Sequence, residues 1–190
     1  MNAFRLRLLA AAGALSMLLA GIAAATQVVH LDTRGLTRES SDIVIGTVTG
    51  QSSHWNAAHT MIVTDVTIAV AELLKGTPGS TITLTQIGGE VDGMRYSVAG
   101  SPVFRNGEEV LVFAWRDAQG RPQVDGLAQG KFEIQRNAAA GTPTVQRGSA
   151  GLAVGDVRTL QAAPSGRVLP RLALDAMRRE IQAALAEAGR

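Results

Sequence analysis

Residues Ile62 to Gly89 read IVTDVTIAVAELLKGTPGSTITLTQIGG, and this stretch decides the fold class. Ile62, Val66, Ile68 and Val70 share one parity while Asp65 and Thr67 fall on the other, the period-two pattern of a half-buried strand. The apolar set switches parity over Ala71 to Leu73, which predicts a bulge or a strand end there. Gly76-Thr77-Pro78-Gly79 has the residues of a type II turn: Pro78 presets one φ and Gly79 supplies a positive one at no steric cost. Beyond the turn Ile82 and Leu84 face one side and Thr81, Thr83 and Thr85 the other, so the second strand is buried on one side only. The stretch is therefore a scaffold hairpin, closed by Gly88-Gly89.

Upstream, Ile43 to Val48 is dense in β-branched residues and predicts a strand, with Gly46 and Gly50 marking a bend or bulge. Gln51 to His59 is polar, holds Trp55, and reads as a hairpin loop. Downstream, Gly88 to Gly107 carries five glycines and two carboxylates, Glu90 and Asp92. Two readings stand for it: a functional loop, or an exposed meander with a short strand at Arg95 to Val98. Val110 to Trp115 is almost wholly apolar and predicts a central strand buried on both faces, Trp115 included. Gly130 to Ile134 alternates as a short strand, and Thr142 to Gln146 adds an edge. Leu174, Met177, Ile181, Ala184, Leu185 and Ala188 repeat at helical spacing, with Asp175 as the expected N-cap and Gly189 past the end.

The expected architecture is mainly β: a single small barrel, OB-like, or a sandwich, with a C-terminal amphipathic α-helix. Residues 26–148 form the β domain, 149–169 a linker or coil, and 170–190 the helix.

The first 25 residues stand apart from that domain. Arg5 and Arg7 precede an apolar run from Leu8 to Ile22, and Ala23-Ala24-Ala25 supplies small residues for a cut before Thr26. This is the pattern of a secretory signal, so the protein is expected to be exported, periplasmic or secreted, with no stable membrane span after cleavage. An uncleaved anchor is the rival reading, although the run is short for a span of about 20 residues. The chain has no cysteine, which removes disulfides, thiolate zinc sites and thiol catalysis. Of the 18 Lys and Arg residues two lie before Thr26, so the remainder equal the 16 Asp and Glu. A near-neutral mature chain argues against nucleic acid as a partner, and the Arg171, Arg178, Arg179 cluster reads as a solvated helix face.

The ordering Asp42-Ile43-Val44-Ile45-Gly46, a Trp loop, Leu74-Lys75-Gly76, Ile87-Gly88-Gly89, Gly100-Ser101-Pro102-Val103-Phe104-Arg105-Asn106-Gly107-Glu108 and Gly130-Lys131-Phe132 resembles a group of uncharacterised exported bacterial proteins. The Val-x-x-Leu-Leu-Lys-Gly hairpin also resembles, more distantly, the OB-type barrel of netrin-like domains, including tissue inhibitors of metalloproteinases. That second resemblance implies a fold and no mechanism, because those inhibitors chelate zinc through an N-terminal cysteine and the expected mature N-terminus here is Thr26.

Chemistry-bearing residues are few. His54 and His59 are spaced i, i+5, which puts them on opposite faces of a strand and short of the i, i+4 zinc-protease pattern. Gly126-x-x-x-Gly130-Lys131-Phe132 is one residue short of a phosphate loop and lacks the Ser or Thr that holds magnesium, so Lys131 is expected to be an exposed lysine on a tight connection. No cofactor and no metal are predicted. The candidate ligand surface is Trp55 with the Gly88 to Gly107 loop, namely Trp55, Tyr96, Arg95, Glu90 and Asp92, contacting an unknown protein or small ligand of the cell envelope. The expected function is a non-enzymatic binding or accessory module. The alternatives are a secreted hydrolase using Glu90, Asp92 and a loop histidine, and a structural subunit docking through Leu174 to Ala188.

Overall fold

The computed structural model describes residues 28–29, 31–136, 141–147, 154–156, 161–162 and 171–189. The expected signal sequence, its cleavage point and most of 149–169 lie outside the described residues. Among those described, no helix is long and apolar enough to cross a membrane.

One antiparallel sheet carries the fold. Its strands are β2 (Asp42–Trp55), β3 (Ile62–Lys75), β4 (Thr81–Ile87), β7 (Glu109–Arg116), β8 (Pro122–Val124), β9 (Lys131–Gln135), β10 (Thr144–Arg147) and β13 (Leu172–Ala173). They run in the order β13-β10-β9-β7-β2-β3-β4, with β8 also paired to β7. A hairpin of β5 (Gly89–Val91) and β6 (Met94–Tyr96) stands apart from it. So does a small sheet in which β1 (Val28–Val29) pairs with β11 (Val154–Asp156), itself paired with β12 (Gln161–Ala162). Two helices complete the fold, α1 (Thr33–Glu39) and α2 (Leu174–Ala188).

The β2–β3 pairing runs from Ile43↔Lys75 to Trp55↔Ile62. The register slips past Leu74 and Ala71 on β3 and past Thr49 on β2, which accounts for the parity switch seen in the sequence. Gln51 to Trp55 are strand residues, which corrects the hairpin-loop reading: each pairs in register with Ile62 to Val66, leaving only Asn56 to Met61 as the connection. Backbone pairing wins there over a polar sequence because the β2 side chains Gln51 to Trp55 are exposed or half-buried on both faces while their β3 partners Ile62, Val63 and Val66 are buried.

Strand β7 is buried on both faces as expected. Val110, Val112 and Ala114 join Val44, Val48, Val66, Ile68, Ile82 and Leu84 on one side. Leu111 and Phe113 join Ile43, Ile45, Phe132 and Ile134 on the other, beneath Leu36 of α1 and Leu174, Met177 and Ile181 of α2. Trp115 is 39% exposed, against expectation. The last β2 partner of β7 is Asp42 opposite Ala114, so Trp115 has a paired neighbour only in β8 and projects beyond the sheet.

The free edge of β7 forks. Its first half pairs with β9 and its second half with β8. The corner between them is a 3-10 turn, Leu127–Gly130. At Gly130 a Cβ would lie 2.5 Å from the Asp125 carbonyl and 2.9 Å from that of Phe113, so only glycine fits. The β8 branch curls the sheet until β8 lies alongside β4, with no hydrogen-bonded ladder between them; among the described residues the sheet is strongly curved but not closed. The β9 branch carries the sheet under the helices.

Helix α2 packs as the sequence predicts, its Leu174, Met177, Ile181 and Ala184 stripe buried against the sheet. Its N-cap is Ala173, without a side-chain cap; Asp175 lies in the first turn and pairs with Arg178 Nη1 at 2.6 Å.

Candidate functional site

The five predicted ligand residues lie on two adjoining hairpins at one end of the sheet. At the tip of β2–β3 the connection is held by Asn56, whose Oδ1 accepts from the backbone N–H of Thr60 at 2.8 Å. His59 adopts a positive φ of 52° there, and its ring stacks on Trp55 with centroids 6.2 Å apart. Trp55 is half-buried and has this imidazole as its ring partner.

Gly88 and Gly89 set the second hairpin across the first. The Gly88 N–H donates to the Ile62 carbonyl at 2.9 Å and its own carbonyl accepts from Thr64 Oγ1 at 2.6 Å. Gly89 has φ of 140°, and a Cβ there would lie 2.5 Å from both Ser53 Oγ and Thr64 Oγ1. The β5 backbone thus rests directly on the Ser53–Thr64 hydroxyl pair, which are 2.8 Å apart. Asp92 and Gly93, both with positive φ, make the tight turn that a two-residue hairpin requires. Glu90 accepts from Arg95 Nη2 at 2.7 Å and Nε at 3.0 Å, and both side chains are exposed. The opposite face of the hairpin presents Met94, 51% exposed, and Tyr96, 46% exposed. Gly89 stands across from Tyr96 and gives it no cross-strand neighbour.

His54 lies on the outer face of β2 and is committed twice. Nδ1 meets the Trp55 carbonyl at 2.9 Å and Nε2 meets Asp65 Oδ2 at 3.0 Å, while Asp65 Oδ1 accepts from Thr85 Oγ1 at 2.8 Å. Both ring partners are acceptors, so the doubly protonated imidazolium satisfies them best. The Trp55 carbonyl first, and Asp65 second, raise the His54 pKa above its usual 6.5. The structure therefore joins this histidine to Asp65 and Thr85, and Glu90 to Arg95.

Sequence reading missed two buried polar clusters. Lys131, expected to be exposed, is 2% exposed. Its Nζ lies 2.7 Å from Glu108 Oε1, donates to the Val103 carbonyl and sits 4.7 Å from the centre of the Phe104 ring. Glu108 also accepts the Arg105 N–H at 2.9 Å. This cluster ties Val103 to Glu108 to the sheet, so the second half of the long Gly-rich segment is a clamp and only its first half is a projecting hairpin. In the other cluster Lys75 donates to the Thr37, Arg38 and Ser40 carbonyls, neutralising the C-terminal end of α1. Buried Asp42 faces Arg116 Nη2 at 2.8 Å, and a Cβ on Gly76 would lie 2.2 Å from Asp42 Oδ1. Ser40 Oγ donates to buried Asp125 at 3.1 Å, and loss of solvent pushes the Asp125 carboxyl up.

The only prior signal for these clusters was the motif series itself. Asp42 with Gly76, and Phe104 and Glu108 with Lys131, are scattered in sequence and meet in space. Comparison with known protein families, curated proteins and solved structures finds no match to this chain.

Proposed function

We propose that this protein is an exported, non-catalytic binding module whose contact surface is the β5–β6 hairpin together with the Trp55 tip. The reading rests on one observation: Ile87, Met94 and Tyr96, half of the six large exposed hydrophobics among the described residues, fall within ten residues of chain, Met94 and Tyr96 on the β5–β6 hairpin and Ile87 at the end of β4 that leads into it. Clustered exposed apolar side chains beside a neutralised ion pair are what a protein partner recognises, with Tyr96 and Trp55 as aromatic anchors. The strongly curved strands β7-β2-β3-β4, with β8 beside β4, fit a partly open barrel of OB type, a fold that binds ligands on such hairpins.

A hydrolase reading draws less support, since Glu90 is taken by Arg95 and His54 by Trp55 and Asp65. So does docking through α2, whose apolar stripe is spent on the protein's own core. The test is affinity capture from cell-envelope extract with wild type and with Trp55→Ala plus Tyr96→Ala. Loss of a partner by the double variant, with its circular dichroism unchanged, supports the proposal; identical partner sets overturn it.

A further inference from the structure

A groove of about 750 Å³ opens on the helix-covered side of the sheet, between α1, α2, β9, β10 and β13. The hairpin surface proposed above does not contribute to it. Four arginines, Arg34, Arg147, Arg171 and Arg179, line it against two carboxylates, Asp32 and Glu180; Arg34 is paired with Glu187 at 3.3 Å, and the other three arginines still outnumber the two carboxylates. Asp32 Oδ1 also accepts the Gly35 N–H at 2.7 Å.

Arg147 is the central feature. Its guanidinium sits 5.0 Å from the centre of the Phe132 ring, and Nη2 donates to the Leu31 carbonyl at 2.9 Å. Among the described residues no carboxylate lies within ion-pair distance of it. Withdrawal from water lowers its pKa, and the Asp32 charge offsets that only in part. Arg171 gives Nε to Gln146 at 3.1 Å, and Arg179 makes no ion pair among the described residues. Between these cations the accessible lining is apolar, Leu172, Ala176 and Ala183, laid over the buried Phe132, Val145 and Met177. A groove with a cationic rim, a half-buried guanidinium that makes no direct ion pair and an apolar lining matches a ligand with one anionic end and one hydrocarbon end.

We infer that this groove binds an amphiphilic anion, its phosphate or carboxylate head on Arg147 with Arg171 and Arg179, and its hydrocarbon portion along Leu172, Ala176 and Ala183. Only such a ligand uses both halves of the lining. A small inorganic anion leaves Leu172, Ala176 and Ala183 wet, and an uncharged alkyl chain leaves the arginines without an anionic partner.

The test is calorimetric titration of the full chain with decyl phosphate, decanoate, decanol and inorganic phosphate, all below micellar concentrations. One or both amphiphilic anions bind one to one, at least about tenfold tighter than decanol or inorganic phosphate, and the tighter head identifies a phosphate or a carboxylate source. Arg147→Met weakens that binding by about 10- to 100-fold, as loss of a charge-assisted hydrogen bond does. Because Arg147 also braces Leu31, Arg171→Gln and Arg179→Gln at exposed positions provide an independent reading, each lowering affinity severalfold. The inference is overturned if neither anion binds, if decanol binds as tightly as decyl phosphate, or if the exposed-arginine variants bind like wild type.

Discussion

Replacing Lys131 by Met keeps the straight aliphatic stem and deletes only the ammonium, which isolates the value of the buried cluster. The side chains of Lys131 and Glu108 are 3% and 13% exposed and their charged atoms are 2.7 Å apart. Breaking a buried pair by removing one partner costs about 3–5 kcal/mol, because the other charge is left uncompensated. Glu108 keeps the Arg105 N–H and some solvent, which places the expectation at the lower end, about 3 kcal/mol. For a chain of this size about 2–4 °C accompanies each kcal/mol, so Tm falls by about 6–12 °C. Urea denaturation followed by tryptophan fluorescence measures it, with an unchanged m-value showing that the folded and unfolded ensembles are otherwise alike. The companion variant Lys131→Met with Glu108→Gln removes the nearer stranded charge, leaving Glu133, 3.6 Å from Nζ in the wild type, to its other partner Arg105, and recovers at least about 1.5 kcal/mol of the loss, a coupling expected only of groups in contact. A cost below about 1 kcal/mol for Lys131→Met, the value of an exposed lysine, would falsify the assignment of this cluster as a buried clamp.

Three further expectations follow from the same geometry. Gly76→Ala, with φ of 87° and a Cβ 2.2 Å from Asp42 Oδ1, costs about 3 kcal/mol or more, whereas Gly79→Ala, with φ of 79° in open space, costs about 1–2; equal losses in chemical denaturation would contradict the close approach at Gly76. His54 titrates above 6.5, so its contribution to the β2–β3 tip is full below that pH and disappears as pH rises through the raised value; NMR titration of the imidazole tests this, Asp65→Asn should lower the midpoint, and a midpoint at or below 6.5 refutes it. The raised Asp125 pKa means its charge opposes folding at neutral pH, so Asp125→Asn is at least as stable as wild type at pH 7 and the advantage shrinks toward pH 3.5; destabilisation beyond about 1 kcal/mol at pH 7 contradicts this.

What the sequence disclosed follows from where the determining forces are local. Period-two alternation placed β3 and β4, the parity switch announced the Ala71 and Leu74 bulges, and a near-continuous apolar run marked β7 as doubly buried. Helical spacing likewise chose the residues of α2 that face the core. The misreadings arise where the decisive neighbour is remote. Gln51 to Trp55 carry no strand pattern of their own and are held extended by β3. Trp115 belongs to an apolar run yet protrudes because β2 ends one residue short of it. Lys131 is buried by a glutamate and a carbonyl more than twenty residues upstream, and nothing adjacent to it in the chain reports that. At the candidate site, Glu90, Asp92, Arg95 and Tyr96 came together on one hairpin because Asp92-Gly93 and Gly88-Gly89 are local signals. The groove around Arg147 was illegible, since its arginines come from α1, β10, α2 and the residue preceding β13, and only the tertiary fold assembles them.

The two polar clusters explain why the fork in β7 has one outcome. At the fork the chain must leave β8, turn through Leu127 to Gly130 and rejoin β7 as β9 in a fixed register. Asp125 lies on one side of that turn and Lys131 on the other. Ser40 fixes the first and Glu108 the second, so the ends of the corner are tied to opposite ends of the β2–β7 ladder. A one-residue slip in β9 would point Lys131 toward Leu36 and Met177 and turn Phe132 toward Glu108, stranding a cation in the helix-side core. The glycine-rich motifs around these residues are therefore accounted for by register, which leaves the β5–β6 hairpin and the arginine groove as the surfaces proposed for binding.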